Sequence, residues 1–108
     1  MDNPKNDYYY KSLIVNDIEK ILEYTKNIDY NEFITDEKLI DAVLFRLIQI
    51  VENIKKISDE FKNAHNNIEW AEIIGFRNRI VHDYGKTDYT VVYEIVKDDL
   101  KELIEIFK

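Results

Sequence analysis

Leu13, Ile14, Ile18, Ile21 and Leu22 recur at three- and four-residue steps. This is the period of a helix with one buried face, and it predicts a first amphipathic helix over residues 9–28. Residues 27–34 read as a connection. Thr35 stands where an N-cap belongs, with Asp36 and Glu37 in the first turn at the positive end of the helix dipole. Ile40, Val43, Leu44, Leu47, Val51, Ile54 and Phe61 carry a second helix from there to about residue 61. A polar loop over 62–67 follows, in which Asn66 with Glu69 three positions on resembles a capping box. It opens a third helix that ends near Gly85, a residue suited to a left-handed C′ position. Thr87 or Asp88 starts a last helical segment carried by Val91, Val92, Ile95, Val96, Leu103, Ile104 and Phe107, with a break expected at Asp98 or Asp99. Tyr8, Tyr9 and Tyr10 are expected to pack at the start of the first helix, and Trp70 in the core.

Composition narrows the class. Two glycines and one proline are too few for the many tight turns of an all-β fold. With 108 residues, 45% hydrophobic and 34% charged, the expectation is one all-α domain with a single core. The chain has no cysteine, which excludes a disulfide framework and any thiolate site. His65 and His82 stand too far apart for a local metal motif, so no metal is expected, and His65 reads as a solvated loop residue. No apolar run is long enough to span a bilayer, and residues 1–7 lack the apolar core of a secretory signal. A cytoplasmic protein with no membrane partner is the expectation. The net charge of −7 argues against a protein that coats nucleic acid, because that binding is driven by many phosphate contacts. One local exception stands out: Arg77, Arg79, His82 and Lys86 fall within ten residues.

The third helix holds an anomaly. On a wheel of about 100° per residue, Trp70, Ile73, Ile74, Ile80, Val81 and Tyr84 lie within roughly 60° of one direction, and Arg77 sits at its centre. A guanidinium facing a core needs a carboxylate partner or a cleft. The wheel puts Arg79 on the opposite side, as a solvated charge. His82 lies about 140° around from Arg77, whereas Asn78 and His82, four apart, share a face. Using Arg77, Asn78 and His82 together therefore calls for fraying of the helix near Gly85 or for a second subunit. On the second helix, Phe45 and Ile48 lie off the main stripe beside Asp41 and Glu52, forming a second apolar surface suited to self-association. Structural roles for the same residues remain open. His82 at a helix C-terminus complements the dipole, Arg77 forms a buried pair with Asp41 or Glu52, and Tyr84 is a core tyrosine.

The segment Arg77-Asn78-Arg79-Ile80-Val81-His82-Asp83-Tyr84 resembles the signature of the HEPN superfamily: an arginine, a polar residue after it, and a histidine about four residues further on. The tyrosine two after the histidine is the version found in HepT-like toxins. Ile68-Glu69-Trp70 with Ile73, Ile74 and Gly75 resembles the family's run into the motif. Asp41-Ala42-Val43 with Arg46 and Glu52 resembles its second helix. The likeness extends over nearly the whole chain. Two departures are visible: Val51-Glu52-Asn53 stands where similar proteins often carry Gly-Glu-Ala, and the usual proline of the last helical region is absent.

The resemblance implies a single HEPN domain over residues 1–108, an antiparallel bundle of four to five helices, and a metal-independent endoribonuclease without a cofactor. It further implies a homodimer whose two motifs line one cleft, and a nucleotidyltransferase antitoxin that transfers AMP to Tyr84. Histidine titrates near neutrality, so His82 can act as base or acid. Arg77 offers a planar fork to phosphate oxygens, Asn78 orients phosphate or imidazole, and Arg79 and Lys86 add RNA backbone contacts. The alternative is a non-catalytic helical module that binds a nucleotidyltransferase and a nucleotide phosphate with the same groups.

Overall fold

A computed structural model describes residues 6–82 and 84–108, with Tyr84 described by its backbone alone. All regular structure among these residues is helical, as expected: α1 (Asp7–Tyr24), α2 (Tyr30–Ile34), α3 (Glu37–Ile54), α4 (Asp59–Ala64), α5 (Trp70–His82), a 3-10 turn (Tyr84–Lys86), α6 (Tyr89–Glu94), a π turn (Ile95–Asp99) and α7 (Leu100–Phe107).

Side-chain caps explain most of the boundaries and most departures from the expected ones. Helix α1 begins two residues early because the Asn6 carboxamide accepts from the Tyr9 backbone. The connection before α3 contains α2, opened by a reciprocal capping box between Asp29 and Glu32. Asp36, not Thr35, caps α3; the Thr35 hydroxyl instead donates back to the Asn31 carbonyl. The long second helix expected to residue 61 ends at Ile54, and Ser58 caps the separate α4 that carries Phe61. Helix α5 starts at Trp70, four residues past Asn66, and ends at His82. Gly85 has no positive φ, so it is not the left-handed stop expected there. Asp88 caps α6 through the Thr90 and Val91 backbone. The expected break near Asp98 is a π turn that widens the last helix without ending it.

The core forms where α1 and α3 pack on one another and α7 closes over them. Ile14, Ile18 and Ile21 meet Ile40, Val43, Leu44 and Leu47, joined by Leu100, Ile104 and Phe107. Asp7 bonds Ser58, beyond the end of α3, while Asp17 bonds Arg46 within it. Pairing that falls along α3 as it rises along α1 makes the two helices antiparallel. Tyr30 and Phe33 pack on Tyr93, and the Tyr30 hydroxyl bonds Thr90 at 2.7 Å, tying α2 to α6. Trp70 and Phe61 both lie against Phe107. Only part of the tyrosine run packs as expected: Tyr10 is half-buried, but Tyr8 stands 78% exposed. His65 is not a solvated loop residue either. Its ring lies 4.4 Å from that of Phe61, and Nδ1 is 3.1 Å from the Phe61 carbonyl.

Candidate active site

Helix α5 carries the arginine and the histidine, and its seating differs from the wheel centred on Arg77. Ile80 is its one buried residue among those described, with Ile73 and Phe76 half-buried, while Val81 is 45% exposed. The buried Ile80 is therefore displaced from Arg77 by about 60° toward Phe76, while Trp70 and Ile74 are half-buried on the other side of Arg77. Helix α5 rests chiefly on α3. Arg77 lands at the margin of the core, beside α3.

There its guanidinium meets Glu52. The Nε to Oε1 separation is 2.7 Å, with the side chains 24% and 35% exposed. Both atoms are shielded from solvent, yet the approach lies off the N–H axis, so the contact is an ion pair without an aligned hydrogen bond. Of the two carboxylates expected as partners, Glu52 is the one. It also faces Lys55 Nζ at 3.8 Å. Arg77 Nη1 donates to the Asn78 side-chain oxygen at 3.2 Å. The Nη2 edge makes no bond among the described residues.

His82 is exposed in the last turn of α5. The helix stays regular up to it, so nothing bends His82 back toward Arg77. The two side chains leave the helix about 140° and about 7–8 Å apart along its axis. One protomer thus brings together Arg77, Asn78 and Glu52 but not Arg77 and His82. Arg79 is exposed as expected, although its guanidinium rests 5.7 Å from the Phe76 ring centroid. Lys86 is exposed in the 3-10 turn beyond the helix.

A second ion pair escaped the sequence reading. Asp17, 7% exposed, accepts from Arg46 Nη1 at 2.7 Å, and Arg46 Nη2 reaches the Tyr24 hydroxyl at 3.3 Å. The available signal was Asp17 lying in the Ile14–Ile18–Ile21 stripe, as Arg77 lies in its own. This pair links α1 to α3 and so sets the platform on which α5 rests. Among the described residues no group of histidine and carboxylate side chains is placed to hold a metal ion, and no helix is long and apolar enough to cross a membrane.

Comparison with known proteins places these features in a family. The model of the HepT-like family, described as Ribonuclease HepT-like, matches residues 14–108. The chain belongs to the HepT-like ribonuclease family. A Methanocaldococcus jannaschii protein named "Putative RNase" is 36% identical over 90 residues, which is 83% of each chain. "Probable ribonuclease HepT" of Thermococcus cleftensis is 36% identical over 86 residues, 80% of this chain and 78% of its own. A Caldanaerobacter subterraneus relative, again named "Putative RNase", is 30% identical over 94 residues, 87% of this chain and 84% of its own. No solved structure matches. The side chain of Tyr84, the residue expected to carry AMP, lies outside the described residues, as does Asp83; the Tyr84 backbone opens the 3-10 turn after the helix.

Proposed function

We propose that this HepT-like chain is a metal-independent endoribonuclease toxin acting as a homodimer, in which Arg77, Asn78 and His82 of both protomers line one cleft. The observation that carries the reading is the seating of Arg77: it sits at a helix margin, charge-balanced by Glu52, with its Nη2 edge unbonded among the described residues. A purely structural arginine in that position would commit its fork to protein acceptors. The regular course of α5 up to His82 supports the two-protomer arrangement, because the two groups diverge within one chain. Phe45 at 57% exposure and Val81 at 45% flank this region on α3 and α5, an apolar surface of the kind a two-fold interface buries.

In the reaction, His82 of one protomer takes the proton of the 2′-hydroxyl. The 2′-oxygen attacks the adjacent phosphorus, and His82 of the other protomer protonates the departing 5′-oxygen. The products are a 2′,3′-cyclic phosphate and a 5′-hydroxyl. Arg77 neutralises the charge that builds on the phosphorane oxygens, and Asn78 orients the guanidinium it already touches. Lys86 and Arg79 add salt-sensitive contacts to the RNA backbone.

Regulation in this reading falls to Tyr84. A partner nucleotidyltransferase antitoxin transfers AMP to its hydroxyl, with pyrophosphate leaving from ATP. The added phosphodiester then competes with RNA for Arg77. Exposure of the purified chain to RNA in EDTA tests the whole reading. Cleavage that disappears in His82→Ala is the expected result, whereas binding of RNA or nucleotide without cleavage would leave a non-catalytic module.

A further inference from the structure

On the side of α5 turned away from Arg77, the bundle is incompletely closed. Because α5 leans chiefly on α3, a cavity of about 420 Å³ opens between α5, α3 and the last helix. Its floor is apolar, formed by Leu47, Ile50, Ile73, Phe76 and Leu103, with Val91 at the mouth. The rim has the opposite character. Glu69 and Glu72 stand along the α5 side, Asp99 and Glu102 along the α7 side, and all four are exposed. Arg79 is the one cation lining it among the described residues, with its guanidinium 5.7 Å from the Phe76 ring centroid. The π turn supplies Ile95 and Asp99 to this wall, a helix irregularity of the kind that recurs at functional sites.

Charge decides what fits here. RNA is repelled by four carboxylates. A second copy of the chain, pairing isologously, would set these carboxylates against themselves, in a protein of net charge −7. A smooth apolar partner would leave the rim unpaired and partly desolvated. We propose that this groove is a docking site for a basic amphipathic helix of a partner protein. Its apolar residues at three- and four-residue spacing would enter the floor, and its flanking lysines and arginines would pair with Glu69, Glu72, Asp99 and Glu102. Partial desolvation of the Asp99 carboxyl, and after it the charges of Asp98 and Glu102, hold it above its ordinary value, so an incoming cation there offsets an existing repulsion. Apart from Arg79, the groove's lining residues lie off the Arg77 face, and the variants below leave Arg79 in place, so docking and RNA cleavage are testable apart.

The probe is a labelled helical peptide of about 16 residues, with leucines at 3/4 spacing and lysine or arginine flanks, against the same peptide with glutamate flanks. Anisotropy titrations on the full chain should show saturable binding of the basic peptide alone, weakening as salt rises. Glu69→Lys combined with Glu102→Lys should weaken that binding by at least roughly tenfold and favour the acidic peptide. Val91→Lys, at the exposed mouth, should abolish it while the melting transition persists. Cleavage of RNA should be unchanged in all of these variants. Equal binding of both peptides, or amide shifts that gather at Phe45 and Val81 and not at Ile73 and Phe76, would overturn the proposal. So would a change of oligomeric state in Val91→Lys, which would make the occupant a second copy.

Discussion

Replacing Arg77 by alanine separates the two roles an arginine at this margin can have. Its pair with Glu52 is neither exposed nor sealed, at 24% and 35% side-chain exposure, and the 2.7 Å contact is not an aligned hydrogen bond. Exposed pairs contribute about 0.2–1 kcal/mol, and stripping one partner from a fully buried pair costs about 3–5 kcal/mol. The geometry puts Arg77→Ala between these limits, at about 1–2 kcal/mol. For a domain of this size that is a fall in Tm of roughly 4–12 °C. Against a total stability of about 5–15 kcal/mol, more than about 95% of the protein stays folded at 25 °C. Loss of an electrostatic donor to a transition state, by contrast, costs about 10²–10³-fold in rate. Glu52→Gln should give a similar or smaller Tm loss while cleavage stays within about tenfold of wild type. Circular-dichroism melts and RNA cleavage in EDTA, run on both single variants and the double, supply a coupling energy and a rate for each. The reasoning is refuted if Arg77→Ala is unfolded at 25 °C. It is equally refuted if both single variants lose cleavage by the same factor, since Arg77 would then act only through the pair.

Gly75→Ala should stabilise the protein by about 0.5–1 kcal/mol in a thermal melt, because Gly75 lies within α5 and an added Cβ meets Arg79 Nη1 at an ordinary 3.7 Å. Asp7→Ala should cost about 1–2 kcal/mol, since the Asp7 carboxylate accepts from both the Ser58 hydroxyl at 2.6 Å and the Ser58 backbone at 2.9 Å. Those bonds hold the Asp7 carboxyl below its ordinary value. Its contribution is therefore present above the unfolded carboxylate pKa and lost as pH falls through the lower folded one, so the gap to Asp7→Ala should close in acid. Asp99 has the opposite sign: its folded pKa is raised by burial and by Asp98 and Glu102, so stability falls as pH rises through the carboxylate range. Asp99→Asn should accordingly raise Tm at neutral pH and change it little in acid. Phe45→Glu, which charges an exposed ring, should leave a folded monomer by light scattering if that face forms the dimer.

Period and composition alone determined the fold class. Apolar residues at three and four, with almost no glycine or proline, leave a chain of this length few options besides packed helices. The caps also lay in plain sight, but several equivalent candidates stood side by side. Thr35 and Asp36 are both good caps, and only the backbone path selected Asp36. Phe61 continues the α3 period, yet it belongs to α4, because Ser58 and its bond to Asp7 end one helix and start another. Local spacing could not foresee that contact across 51 residues. The candidate site divides in the same way. Arg77 was legible as a charge set in an apolar stripe, whereas the roles expected of Asn78, His82 and Tyr84 came from the family resemblance. Tertiary structure decided which way the helix faces, and with it that Arg77 meets Glu52 and not Asp41. The same seating left a gap toward α7, into which Phe76 and Ile73 face. A wheel shows the relative angles of side chains on one helix but not the absolute rotation of that helix in the bundle. That rotation is set by packing against α3, through the sum of many weak contacts that no single residue announces.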